Sequence, residues 1–345
     1  MTDGIFHLTY ATWWYMVIGA LFTGYAILDG FDFGAGAWHL FFKKEESRRI
    51  ALNAVGPVWD GNEVWLVIGG GALFAGFPKV YASLFSGLYI PFMLFLFVLI
   101  LRAVSIEFRS KEKMAWWRQM WDVCYTISSV SLAFLLGVVL ANILQGMPID
   151  AEGNIHMGLI DVLNPYALLV GSMTLALFMM HGGIYLMMKT EGRLFAKVNL
   201  LTKNAIIGFL VLFSLTTIYT LIYIPHLSDR LKENSTLFFI PAFGLLSIAN
   251  IPRLIKKNKY LAAFIFSSLS MTFFLIAVAV ELFPTILISN IDRSFDITVQ
   301  NAAASDKSLG IMLLFAAVGG PLVALYTVFV YRTFKGKVKL DEHSY

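Results

Sequence analysis

Nine apolar stretches, each followed by a short polar connection, run along the 345 residues of this chain. A bilayer core has no water for backbone N–H and C=O groups, so a crossing needs about 20 mostly apolar residues in a helix that bonds to itself. The stretches are Tyr10–Phe42, Ile50–Phe77, Leu84–Phe108, Val123–Leu144, Val162–Met188, Ala205–Ile224, Thr236–Ile251, Leu261–Phe283 and Leu309–Tyr331. They predict an all-α polytopic membrane protein forming a single integral membrane domain over residues 1–345. The seventh is short, with Pro241 inside it and Pro252 just beyond it. The chain is 58% hydrophobic and 14% charged, against roughly 25% charged residues in soluble domains. The first ten residues hold no Lys or Arg, so a cleavable leader is not expected. Cys124 is the single cysteine, which excludes an intrachain disulfide and a cysteine metal cluster.

Basic residues set an orientation, because Lys and Arg concentrate in cytoplasmic loops. Lys43, Lys44, Arg48 and Arg49 follow the first stretch, and Arg109, Lys111, Lys113 and Arg118 follow the third. Lys189, Arg193, Lys197 and Lys203 follow the fifth, and Arg253, Lys256, Lys257 and Lys259 follow the seventh. Arg332, Lys335, Lys337 and Lys339 close the chain, and Arg102 lies inside the end of the third stretch on the same side. The other side has Lys79, Arg230, Lys232, Arg293 and Lys307. The alternation predicts an outside N-terminus and a cytoplasmic C-terminus. The net charge of +4 is thus a topology signal, and nucleic acid is not expected as a partner.

Ionisable residues within a span are expensive and point to function. Asp29 and Asp32 lie in the first stretch, and Asp60 and Glu63 in the second. Each pair has i,i+3 spacing, which puts both carboxylates on one helix face. Counted from Lys43 and Arg49 along continuous helices, Asp32 and Asp60 lie about 16 Å deep, and Asp29 and Glu63 about 21 Å deep. Glu107 sits at the cytoplasmic end of the third stretch, and Asp122 reads as a helix-start residue opening the fourth. The series forms a ladder of carboxylates from the cytoplasmic surface to mid-membrane, and neighbouring buried acids exchange protons nearer neutral pH than exposed ones. Asp29 and Asp60 therefore read as a proton or ion path. For Asp32 and Glu63, helix capping and bonds to Trp and Asn side chains weigh more heavily.

His181 is the one histidine well inside a stretch, about 12 Å from Lys189 by helical rise. A lone buried histidine reads as a hydrogen-bonded core residue before it reads as a haem ligand. His39 lies near the cytoplasmic end of the first stretch. Trp13, Trp14, Trp116, Trp117 and Trp121 lie near span ends and read as an interface belt. Gly69–Gly71 reads as a close helix contact, since no Lys-Ser/Thr follows to make a phosphate loop.

Several motifs carry a family resemblance. They are Gly30-Phe31-Asp32-Phe33-Gly34, Trp59-Asp60-Gly61-Asn62-Glu63-Val64-Trp65-Leu66 with Gly70-Gly71-Ala72-Leu73-Phe74, and Phe108-Arg109-Ser110-Lys111. Further along come Asn142-Ile143-Leu144-Gln145-Gly146, Leu163-Asn164-Pro165-Tyr166, Phe283-Pro284 and Asn301-Ala302-Ala303. In this order they resemble subunit II of the cytochrome bd-type quinol oxidases. The resemblance implies two four-helix bundles plus one helix, in a bacterial cytoplasmic membrane. It implies a complex that oxidises quinol and reduces O₂ to water, with haems b and d in a partner subunit I and none ligated by this chain. It further implies a proton path through Asp29, Asp60 and Glu107. Some members have Asp at the position of Glu107, so the carboxylate is kept on a longer arm. A structural quinone, small single-span accessory subunits and membrane lipid are further companions of the family. The alternative is a secondary transporter or cation channel using the same acids, but its hallmark of interrupted spans in both halves is not seen.

Overall fold

The computed structural model describes residues 8–340. Helix α1 (Tyr10–Trp38) starts where the Thr9 hydroxyl oxygen accepts from Thr12 N–H, and a 3₁₀ turn, His39–Phe41, prolongs it. The next stretch departs from the sequence expectation, because Ile50–Phe77 is not one helix. The chain forms α2 (Glu45–Val55), breaks at residues 56–58, resumes as α3 (Trp59–Gly76), and bends by 118° into α4 (Pro78–Gly87). Pro78 causes the bend: it has no N–H, and its ring drives the preceding residue out of helical backbone. Phe77 accordingly has φ −131°. The third span is therefore α5 (Tyr89–Phe108) alone, with Leu84 left in α4.

The rest is α6 (Ala115–Gln145), α7 (Leu159–Val162), α8 (Pro165–Lys189), α9 (Gly192–Tyr223), α10 (Asp229–Glu233), α11 (Phe239–Lys256) and α12 (Tyr260–Leu282). Two short antiparallel strands follow, β1 (Thr285–Leu287) and β2 (Ile297–Thr298), then α13 (Val299–Ala302) and α14 (Asp306–Thr333). Pro252 lies inside α11 without ending it. Among the described residues eight helices are long and apolar enough to cross a bilayer, or nine with the bent α3–α4 pair as one span. The protein is thus an all-α polytopic membrane protein.

Some resemblance motifs have local structural reasons. Asn164 caps α8 by accepting from Ala167 N–H, and Pro165 takes the first helical position, where no N–H is needed. Asn164 also donates to Asn142 Oδ1 at 3.0 Å, and Asn142 donates to Val162 O at 2.9 Å. The Asn301 side chain accepts from Thr298 N–H, and Thr298 caps α13 in return.

Helix α1 runs through the centre, packing on α3, α6, α8, α12 and α14. Its approach to α8 is backbone on backbone: a Cβ on Gly34 would stand 1.8 Å from Phe178 O, and one on Gly182 would stand 2.4 Å from Ala35 N. Trp14 is buried rather than part of an interface belt, and its indole N–H donates to Ala72 O at 2.9 Å. The expected Gly69–Gly71 contact is half realised. A Cβ on Gly69 would meet Phe22 at 3.2 Å, but one on Gly70 or Gly71 would meet no other part of the fold within 4 Å.

Hydrogen bonds gather the basic segments at one end of the bundle. Lys197 donates to Phe41 O, Arg48 Nη1 to Gln119 Oε1 at 2.7 Å, and Lys337 Nζ to Met187 O and Thr190 O at 3.0 and 2.8 Å. The opposite end is joined by Ala304 N–H to Gly76 O at 2.9 Å and Met147 N–H to Ile288 O at 2.9 Å. Substituting Gly34→Val is expected to force α1 from α8 and cost about 3 kcal/mol, the upper range for overpacking. Gly19→Val, with nothing within 4 Å of its Cβ, should be near neutral. Thermal unfolding of the two purified proteins checks the contrast.

Candidate functional site: an arginine among buried acids

Three helices meet at Arg102. The residue lies on α5, flanked by apolar neighbours, and its side chain is fully buried. Its two terminal nitrogens grip Asp29 of α1, Nη1 to Oδ2 at 3.1 Å and Nη2 to Oδ1 at 2.6 Å. Such paired charge-assisted bonds are about twice as strong as neutral ones. Asp32 Oδ2 stands 3.9 Å from Nη2, and Glu63 Oε2 of α3 stands 3.7 Å from Nη1. The guanidinium also lies over the Phe33 ring, 4.5 Å from its centroid.

Asn62 completes the group. Its Nδ2 donates to Asp32 Oδ2 at 2.7 Å and to Leu28 O at 3.1 Å, and its Oδ1 accepts from the Tyr331 hydroxyl at 2.9 Å. Asp29 and Asp32 are fully buried, while the Glu63 side chain keeps 18% of its exposure. Asp32 Oδ1 and Arg102 Nε have no hydrogen-bond partner among the described residues.

The structure therefore brings together Asp29, Asp32 and Glu63 but not the whole ladder. Asp60 lies in the first turn of α3 and is exposed on the chain's own surface. The depth counted from Arg49 fails because the helix breaks at residues 56–58. A carboxylate in a first turn is favoured by the N–H groups exposed there. Glu107 is half-buried on α5, about 7.5 Å nearer the basic end than Arg102 by helical rise.

A second charged layer lies nearer the basic end, and here Asp122 departs from its reading as a helix-start residue. It sits well inside α6, which begins at Ala115. Its carboxylate accepts from His39 Nε2 at 2.5 Å, Arg109 Nε at 2.5 Å and Arg48 Nη1 at 3.0 Å. Arg109 and Arg118 in turn reach Glu45 of α2 at 3.0 and 3.4 Å.

His181 does not fit a haem axial ligand. Its Nε2 donates to Ile27 O at 3.0 Å, and its Nδ1 accepts from the Ser267 hydroxyl at 2.9 Å, so both ring nitrogens are engaged. Sequence reasoning missed Arg102, Asn62 and Tyr331 as site residues. The available signal was an arginine with apolar residues on both sides, which in lipid demands an acid.

Fold and site define a polytopic membrane protein with charge buried at the centre of its helices. The chain belongs to the family described as cytochrome bd terminal oxidase subunit II, whose sequence profile matches residues 10–334. It is thus a subunit of an oxidoreductase complex. The cytochrome bd-I ubiquinol oxidase subunit 2 of Escherichia coli K12 is 31% identical over 360 residues, covering 95% of both chains. The cytochrome bd ubiquinol oxidase subunit 2 of Bacillus subtilis 168 is 33% identical over 330 residues, covering 95% of this chain and 97% of that one. In structure the chain matches the bd oxidase from Geobacillus thermodenitrificans with a TM-score of 0.79 at 18% identity, over 95% of this chain and 99% of that chain. That likeness concerns the fold. The transporter alternative is not favoured by family membership.

Removing one member of a buried ion pair strands the other charge, at a cost of about 3–5 kcal/mol. Arg102→Met should lose this much, and adding Asp29→Asn should restore part of it. Thermal unfolding of both single variants and the double variant measures the coupling; strictly additive losses would contradict the pairing.

Proposed function

We propose that this chain is the non-haem-ligating subunit II of a quinol-oxidising, O₂-reducing terminal oxidase, and that it supplies a proton path from the cytoplasm to a haem-bearing subunit I. The observation that carries this is the run of acids from the outer face of α3 to the interior. Asp60 is exposed, Glu63 is one turn further along and touches Arg102, and Arg102 holds Asp29 and stands near Asp32. One guanidinium offsets one carboxylate. The remaining acids need protons or neighbouring dipoles to balance them away from water, and changing proton occupancy is what a relay uses. Glu107 serves as an entry group near the basic end.

Orientation follows from the same reading. The basic segments gathered at one end make that end cytoplasmic, with the N-terminus outside and the C-terminus inside. The haems b and d belong to subunit I, where the quinol and O₂ chemistry takes place. A structural quinone, lipid and small single-span subunits complete the proposed assembly.

Two variants of the intact complex test the path. Asp60→Asn should lower quinol oxidase turnover and proton uptake about a hundredfold, the lower range for losing a proton-transfer group, with the haem bands of the reduced-minus-oxidised spectrum intact. Turnover equal to the parent's would defeat the role given to Asp60, and loss of the haem bands would favour a structural one. Glu107→Gln should cost less, because water near the membrane surface can replace an entry group.

A further inference from the structure

Helix α14 is the least embedded of the spans. Among its described residues Leu309 alone is buried, and Leu314, Phe315, Val318, Leu322 and Phe329 face outward. Yet near its basic end the Tyr331 ring meets Phe31 edge-on, 6.3 Å between centroids, and its hydroxyl reaches into the buried charge group. A helix held by apolar packing alone would need no hydroxyl there.

The partner of that hydroxyl has little freedom. Asn62 is 3% exposed, and its amide nitrogen faces Leu28 O at 3.1 Å. A backbone carbonyl can only accept, so this contact fixes which end of the amide is nitrogen. The second N–H of the same nitrogen points at Asp32 Oδ2, and the amide oxygen accepts from Tyr331. Asp32 Oδ2 therefore faces a donor. A proton on that oxygen would oppose the amide hydrogen, which leaves Oδ1, without a hydrogen-bond partner among the described residues, as the place where Asp32 takes up and releases a proton.

We infer that Tyr331 is a positioning residue of the proton path: it holds the Asn62 amide with its nitrogen toward Asp32, so that Asp32 exchanges its proton through Oδ1. The inference rests on the proton-path reading above. The charged and titratable groups around Asp32 are Asp29 from α1, Glu63 from α3, Arg102 from α5, Tyr125 from α6, Tyr185 from α8 and Tyr331 from α14. Tyr185 cannot take over from Tyr331, because its hydroxyl donates to Ala54 O at 2.9 Å.

Without the Tyr331 hydroxyl, Leu28 O alone orients the amide. Turning the amide oxygen to a protonated Oδ2 then costs the bond to Leu28 O but no longer the Tyr331 bond as well, so the protonated form of Asp32 gains ground. The test uses the purified oxidase complex carrying Tyr331→Phe, with Asn62→Leu as a second variant that removes the donor altogether. Turnover is measured across pH, and infrared difference spectra in H₂O and D₂O follow the C=O stretch of protonated carboxyl groups. Tyr331→Phe should move the acid side of the profile to higher pH by about 0.5–1 unit, the roughly three- to tenfold change that one neutral hydrogen bond carries. The protonated-acid band should grow, and that growth should vanish when Asp32→Asn is added; Asn62→Leu should shift the profile further. An equal fall in turnover at every pH with unchanged C=O bands would overturn the inference, as would loss of the haem bands. Asp32→Asn alone separates the two levels. If it leaves turnover unchanged at every pH, Asp32 is not on the path; if it lowers turnover while Tyr331→Phe does nothing, only the positioning role falls.

Discussion

The double contact between Arg102 and Asp29 joins α5 to α1 where neither charge reaches water. An unpaired charge at that depth costs several kcal/mol, so each helix constrains where the other can lie. The constraint spreads from there. Glu63 lies 3.7 Å from the same guanidinium, which sets the face that α3 turns inward. Asn62, beside it on α3, then meets both Asp32 and Tyr331, so α14 is tied to the same point. Four helices share one small polar group, and apolar packing surrounds it.

Close helix contact makes this possible. With α1 and α8 in backbone contact at Gly34 and Gly182, α1 can occupy the middle of the bundle and carry Asp29 and Asp32 there. The second charged layer repeats the principle nearer the basic end. His39 follows Asp32 by seven positions along α1 and its 3₁₀ turn, and Arg109 follows Arg102 by seven along α5 and its end, about two helical turns in each case, or about 10 Å. Asp122 receives His39, Arg48 and Arg109 at that lower level. The layers differ in charge balance. One guanidinium faces three acids in the upper layer, whereas in the lower one Asp122 and Glu45 are met by three arginines. Under the proposed function the excess acid of the upper layer is where protons would bind, whereas the lower layer is balanced by its arginines.

Much of this was written in the sequence in a form that hydropathy can read. The spans, the acids of the first two and the alternation of basic segments all depend on composition over windows of about 20 residues. What escaped depends on single residues. Pro78 bends the chain at Phe77, a local backbone effect that an apolar window averages away. The break at residues 56–58 moved Asp60 from a counted depth to a first helical turn. Arg102 was grouped with the basic loops because of its sign, although its apolar neighbours mark it as a buried counter-ion. Asp122 was placed by distance from a predicted span end, and that end lay eight residues too late. Pairing is a property of two helices at once, and no single stretch of sequence shows it.

Asp60 shows what the isolated chain lacks. Its carboxylate stands on an outward face of α3 that also exposes Val64, Val67 and Phe74 and has no neighbour near Gly61, Gly70 or Gly71. Exposed Val and Phe can rest against lipid tails, but an ionised carboxylate there would cost several kcal/mol. Water or protein must therefore cover Asp60, and glycines without neighbours allow another helix to come close. Among the described residues the two buried arginines, Arg102 and Arg109, are already taken by Asp29 and Asp122. The chain is a subunit of a larger oxidase, and under the proposed function its partner would supply that cover. Under the proposed function, this exposed acid would stand at the boundary between the subunits, where a proton path from one to the other would pass.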